Sequence, residues 1–167
     1  MKQLTLLRHA KSSWDDSRLA DQDRPLARRG LRDAPRMGER LAKRGLRPDL
    51  MLTSSATRAR ETAELVNAQL NDAPIALRIE PKIYLATPGE LLAVIASVED
   101  AVGSLVVIGH NPGFTQLANM LLPDLELLNL PTAGVVCIEC DIPSWGEIDA
   151  GSRRLEFYDF PKNPEPA

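Results

Sequence analysis

The chain has 167 residues and a net charge of −3, from 20 Lys/Arg and 23 Asp/Glu, with 44% hydrophobic and 26% charged residues. At about 100–200 residues per domain this is a single domain, long enough to bury a core without disulfides or metal. It is too hydrophobic for a disordered tail and too acidic overall for a generic nucleic-acid binder. The charge is uneven, however. Residues 1–60 carry 15 Lys/Arg against 7 Asp/Glu, a net +8, and residues 61–167 carry 5 against 16, a net −11. Something in the first third calls for positive charge.

In chain order, Gln3–Leu7 reads as a short apolar strand that stops at Arg8-His9. A polar loop over 10–27 ends in Arg24-Pro25-Leu26. A helix is predicted from there to about Arg44, with Leu31, Ala34, Met37, Gly38 and Leu41 on its apolar face. Pro35 is expected in or near its first turn, because proline kinks a helix interior, and Gly45 closes it. Leu50–Thr53 is a second strand, and Ser55 caps a helix to about Leu70. Ile75–Ile79 is strand, 88–98 helix, and Ser104–Gly109 a strand apolar throughout, as in the centre of a sheet. Asn111-Pro112 open a helix to about Leu122. Residues 135–142 and 154–160 are strand-like and either pair as an antiparallel edge hairpin or sit apart in the sheet. The alternation predicts an α/β three-layer α/β/α sandwich with a mostly parallel sheet and an antiparallel edge. The single domain is expected over 1–160 and a flexible tail over 161–167.

Only Leu4–Leu7 is apolar before Arg8, too short for a signal peptide, and no stretch approaches a membrane span, so a soluble cytoplasmic protein is expected. Cys137 and Cys140 fall within a strand. Their Cα atoms would lie about 10 Å apart, too far for a disulfide. A zinc site would need a second ligand pair, and a redox C-x-x-C would open a helix. The two are read as reduced structural cysteines.

Three predicted strands end in groups that suit a phosphoryl group: Arg8-His9, then Thr53-Ser54-Ser55 with Arg58 in the next helical turn, then His110-Asn111-Pro112. Ligands of open α/β sheets bind at the carboxyl ends of strands. Asn111 has helix-capping chemistry and Pro112 suits a first helical position, so His110 directly precedes a helix N-terminus, an anion-binding element. If the strands are neighbours, both of the chain's histidines and two arginines converge. With no carboxylate cluster, Walker-type glycine loop or nearby thiol, neither metal nor cofactor is expected. The remaining nucleophile is histidine: an imidazole attacks phosphorus in line, two guanidiniums hold the equatorial oxygens, and the second histidine stabilises charge.

Leu7-Arg8-His9-Ala10 resembles the R-H-G signature of the histidine phosphatase superfamily, which includes phosphoglycerate mutase. Ser54–Ala63 (SSATRARETA) resembles its second motif, and Val107–Pro112 (VIGHNP) its third. The short length, Arg8–Trp14 (RHAKSSW), Arg24–Leu26 (RPL) and G-H-N-P are most similar to the SixA-type phosphohistidine phosphatases. Ala10 replaces the usual glycine. The resemblance implies a phosphoglycerate mutase-like fold, His9 as phospho-accepting nucleophile, and Arg8, Arg58 and His110 as the phosphate site. Asn111 and Arg24 are added as expected substrate-binding residues.

Larger relatives carry an acidic residue three positions before a tyrosine, which protonates the leaving group. Counting from Tyr84, that position here is Pro81, and Glu80, one off, is read as a strand-end surface carboxylate. A site without a strong acid suits P–N cleavage better than P–O cleavage. The loops at 10–27 and 80–90 leave no room for a lid domain. A metal-independent phosphohistidine phosphatase acting on a protein, such as a phosphotransfer domain, is therefore expected. The alternatives are a small-molecule phosphomonoesterase using the same residues and a non-catalytic phosphate-sensing module. Neither nucleic acid nor membrane is an expected partner, and a monomer is expected. Arg32, Arg36, Arg40 and Arg44 make a basic helix stripe that is either a docking surface or a solvated face. Trp14, on the loop near the site, either contacts substrate or simply packs.

Overall fold

The computed structural model describes residues 1–70 and 75–164. Ten strands and α-helices occur among the described residues: β1 (Lys2–Arg8), α1 (Arg28–Lys43), β2 (Leu50–Thr53), α2 (Thr57–Leu70), β3 (Leu77–Ile79), α3 (Pro88–Ala96), β4 (Ser104–Gly109), α4 (Gly113–Leu121), β5 (Val135–Asp141) and β6 (Ser152–Asp159). The strands form one sheet in the order β3-β2-β4-β1-β5-β6. The first four are parallel, while β5 runs antiparallel to β1 and to β6. Of the two arrangements left open by the sequence, the late strands pair with each other, with β6 at the edge of the sheet.

Side chains alternate across a strand, so each central strand feeds two cores. Leu4, Leu6, Leu50, Leu52, Leu105 and Val107 pack with Leu91, Ile95, Phe114 and Leu117 of α3 and α4. Leu7, Met51, Val106 and Ile108 pack with Met37, Leu41, Ala59, Ala63 and Val66 of α1 and α2 on the other face. This is the α/β/α sandwich of the sequence pattern. Cys137 and Cys140 are free, buried thiols, pushed up to about 12 and about 11, first of all by burial. Among the described residues no helix is long and apolar enough to cross a membrane.

The first helix departs from expectation in three ways. Pro35 lies in its interior rather than its first turn, because the helix begins only at Arg28, after the extended Arg24-Pro25-Leu26 segment. Leu31 is exposed, since the buried stripe runs through Ala34, Met37, Gly38 and Leu41 without it. The basic stripe is split, with Arg32 and Arg36 exposed and Arg40 and Arg44 tied into the fold. Arg40 is buried, with Nη1 3.0 Å from Asp159 Oδ1, and its Nη2 donates to the carbonyl of Asn163 at 2.7 Å. Arg44 also reaches Asp159, at 3.3 Å, and stacks over Phe157. Of the expected tail, Pro161 is buried and 161–163 is held by Arg40, while 165–167 lie outside the described residues. Ser55 is not the cap of α2; Ser54 Oγ accepts the N–H of Ala56 instead.

Burial alone would raise the Asp159 carboxyl, but bonds from Asn163 and the Phe160 N–H, with the Arg40 and Arg44 guanidiniums, leave it below the ordinary carboxylate value. Its stabilisation is therefore complete above the unfolded-state value and is lost as pH falls through the folded one. Asp159→Ala, read by denaturant unfolding, is expected to cost about 3–5 kcal/mol at neutral pH. The difference from wild type is expected to shrink below about pH 4, where the carboxyl protonates.

Candidate active site

Parallel pairing sets the site. β1 and β4 are neighbours with Arg8 opposite Gly109, so the next residues, His9 and His110, leave the sheet side by side. Their ring centroids are 5.2 Å apart. β2 lies on the far side of β4 and delivers Ser54, and α2 begins there with Arg58 in its first turn. All four residues expected from the sequence motifs are thus brought together, and His9, Arg58 and His110 are buried. Gly109 is required by packing, since a Cβ there would stand 2.5 Å from the Phe114 ring and 2.9 Å from Ile83.

The His9 ring has one fixed end. Its Nδ1 lies 2.7 Å from the carbonyl of Ala10. A carbonyl only accepts, so Nδ1 carries the proton and Nε2 keeps its lone pair. Ala10 is itself anchored, its N–H donating to Thr62 Oγ1 at 3.0 Å, and Thr62 donates to the Arg58 carbonyl at 2.7 Å. One threonine ties the turn of the first motif to the helix of the second. Burial, followed by the charges of His110, Arg58 and Arg8, pushes the His9 imidazole down to about 3, against a raising effect of the Ala10 carbonyl. His110 is pushed down to about 4, first by burial and then by Arg58. Its Nε2 is 2.7 Å from Ser54 Oγ, and its Nδ1 is buried with no partner among the described residues. The Arg8 Nε is likewise buried and unpartnered, although Nη1 donates to the Leu130 carbonyl at 2.9 Å.

One carboxylate among the described residues enters this cationic cluster, and no motif singles it out. Asp21, in a 3-10 turn (Asp21–Asp23) of the loop after β1, accepts from Arg58 Nη2 at 3.0 Å, Tyr84 Oη at 2.5 Å and Arg24 Nη1 at 2.9 Å. Its backbone carbonyl takes a second Arg58 bond at 2.7 Å. The Tyr84 hydroxyl, then Arg58 and Arg24, lowers its carboxyl to about 2 despite partial burial. Asp21 is therefore an anion at neutral pH and fixes the Arg58 guanidinium. The Tyr84 ring stands edge-on to His110, with centroids 5.5 Å apart.

Two expected substrate-binding residues are otherwise engaged. The Asn111 amide donates to Asn129 Oδ1 and the Leu130 carbonyl and accepts from the Thr115 N–H and hydroxyl, which uses its full capacity. It holds the loop before β5 to the start of α4. Arg24 is buried, bonded to Asp21, Ser12 Oγ and the Ser13 carbonyl, and lies 3.3 Å from the centroid of the exposed Trp14 ring. It braces the loop that carries Asp21. Glu80 Oε1 accepts the Lys82 N–H at 3.0 Å and caps a 3-10 turn. Among the described residues no group of three or more His, Cys, Asp or Glu could hold a metal ion.

The sheet order and the two-histidine, two-arginine cluster define a phosphoglycerate mutase-like α/β protein, and the comparisons agree. Residues 4–83 match the histidine phosphatase superfamily, branch 1. An uncharacterized protein of Mycobacterium tuberculosis is 34% identical over 93% of this chain and 100% of its own length. A solved structure of a candidate phosphohistidine phosphatase SixA from Agrobacterium tumefaciens superposes with a TM-score of 0.82 at 28% identity, over 96% of this chain and 98% of that one. The protein histidine phosphatase SixA in complex with tungstate shares the fold, with a TM-score of 0.77 at 23% identity over 95% and 97%. The chain belongs to the histidine phosphatase superfamily and is of the SixA type.

Lowered imidazole values have a measurable sign. In the ligand-free protein the histidine C–H resonances of His9 and His110 are expected not to titrate between pH 5 and 8. Folded-state stability is expected to decline as pH falls from about 6.5, where unfolded histidine takes up a proton, towards these lowered values. A midpoint near 6.5 for either ring by NMR would contradict the burial described.

Proposed function

We propose that this protein is a metal-independent phosphohistidine phosphatase that acts on a phosphohistidine-bearing protein through a covalent phospho-His9 intermediate. The observation that carries this reading is the state of His9: a buried, neutral imidazole with Nδ1–H held by Ala10, set beside Arg8, Arg58 and His110. The Nε2 lone pair attacks phosphorus as the P–N bond to the substrate imidazole breaks. Arg8 and Arg58 neutralise the equatorial oxygens, and His110 adds a donor once a bound dianion favours its protonated form. In the intermediate His9 is an imidazolium through its Nδ1–H. When water attacks phosphorus, the P–N bond electrons return to Nε2 and His9 leaves as neutral imidazole, with orthophosphate as product. The similarly folded protein histidine phosphatase SixA was solved in complex with tungstate, an oxyanion, which is in keeping with an oxyanion ligand here.

The preference for P–N over P–O bonds rests on the state of the carboxylates at the site. Asp21 is the carboxylate bonded into the cluster, and it is held ionised; Glu80 is occupied as a cap. An alkoxide leaving from a phosphate ester needs a proton at the bridging oxygen, whereas a substrate imidazole protonated on its distal nitrogen leaves neutral without one.

Turnover of a phosphohistidine-bearing protein, phosphoramidate and an aryl phosphate, by wild type and His9→Ala, tests this reading. Loss of all activity in His9→Ala, an acid-labile and base-stable label on wild-type His9, and faster turnover of the P–N substrates are expected. Arg58→Ala should lower kcat/KM by about 10²–10³-fold, and EDTA should leave the rate intact. Equal activity of His9→Ala and wild type would sink the mechanism, and preference for the aryl phosphate would assign a small-molecule phosphomonoesterase instead.

A further inference from the structure

A hollow of about 380 Å³ opens beside the histidine cluster, lined among others by Arg8, Lys11, Arg29, Asp33, Thr132 and Lys162. Four stretches distant in sequence build it, one of them the loop before β5 that carries Thr132. Lys11 follows β1 two residues after His9, Arg29 and Asp33 lie in the first two turns of α1, and Lys162 follows β6. His9, Arg58 and His110 do not line it, so it is not where the phosphoryl group would react. Arg8 is the shared wall: it lines the hollow and its charge also acts on His9.

Four cations therefore face one another against a single carboxylate. Asp33 is already shared, 3.9 Å from Arg29 Nε and 3.4 Å from Arg32 Nε. Arg29 is further placed by a contact from Nη2 to Thr132 Oγ1 at 3.4 Å. Among the described residues no carboxylate pairs with Lys11 or Lys162. Like charges gathered on a concave surface repel in the free protein and focus a positive potential into the space between them. An anion in that space relieves the repulsion, and Arg8, which lines the hollow and also acts on His9, is common to it and to the histidine cluster.

We propose that this hollow is a second anion subsite, which takes a carboxylate or phosphate carried by the same substrate molecule, next to the phosphoryl group that is removed. It rests on the phosphatase reading and deepens it, because it makes the preferred substrate doubly anionic. A glutamate or aspartate flanking a phosphohistidine supplies that chemistry, and so does the second acidic group of a small phosphorylated compound.

Matched pairs of substrates separate these sources. One pair is a phosphohistidine peptide with glutamate or with glutamine beside the phosphorylated residue. The other is 4-carboxyphenyl phosphate and phenyl phosphate. Each pair is read as a ratio of kcat/KM in wild type and in the exposed-site double variant Arg29→Gln/Lys162→Gln, so a general loss of activity cancels. In wild type at low salt the charged member is expected to be favoured on the order of fivefold to tenfold in at least one pair, the one that is favoured naming the source. The ratio should fall towards one in the double variant and at high salt. A wild-type ratio at or below one in both pairs, or a preference that survives the double substitution, overturns the subsite. If neither protein hydrolyses any of the four compounds, the phosphatase reading fails. Calorimetric titration of both proteins with the two aryl compounds then judges the hollow alone by the same ratio, taken as Kd.

Discussion

The parallel register of β1 against β4 is the constraint from which the site follows. Six consecutive pairs, Gln3 with Ser104 through Arg8 with Gly109, bring both strands to an end at the same height. The backbone continues the match one step further, with the His9 N–H donating to the Gly109 carbonyl at 3.0 Å. A slip of one residue would turn Leu4 and Leu6 to the opposite face and move His9 away from His110. Burial of alternating leucines on two faces therefore protects the register, and the register sets the 5.2 Å spacing of the rings. The cores and the candidate chemistry are not separable features here.

Around that fixed pair the electrostatics are arranged by burial. Two imidazoles in a dry, cationic setting stay neutral, which leaves one of them a lone pair to use at neutral pH. The same setting would leave Arg58 free to move if nothing opposed it. Asp21 supplies the opposition, through its side chain and its backbone carbonyl, and is in turn oriented by Arg24 and Tyr84. The loop over 10–27 is thus part of the site rather than a cover for it. Its short bridge, Ser12 with Leu26, and the Leu26 N–H bond to Glu61 hold it down on α2.

What was legible in the sequence was local. Strands and helices follow from apolar period, and the convergence of His9, Arg58 and His110 follows from strands that end in charged residues within a parallel sheet. What was not legible depends on partners far along the chain. The spacing of Arg40 and Arg44 marks one helix face, but only Asp159, more than a hundred residues later, makes that face an anchor for β6. Asp21 is one of four acidic residues in its loop, with Asp15, Asp16 and Asp23, and nothing local distinguishes it. Asn111 has the right amide chemistry for an oxyanion, yet Asn129 and Thr115 already take up that amide. Leu31 obeys the helical period and still faces water, since period gives the direction of a stripe and not its width.

The excess of positive charge in the first third now divides into three uses. Arg8 and Arg58 stand at the histidines, Arg40 and Arg44 hold the late strand, and Lys11 and Arg29 face the neighbouring hollow. Each has one carboxylate within reach: Asp21 for the first, Asp159 from the acidic two-thirds of the chain for the second, and Asp33 for the third. Cations outnumber carboxylates in all three, and in the third Asp33 is already shared with Arg32. Near the strand ends that excess lies beside the histidines and the hollow, where a ligand can meet it. Charge of this kind contributes to binding and to the rate of encounter rather than to stability. The proposed substrate and the proposed subsite therefore draw on one physical feature, a positive edge that the protein neutralises only in part.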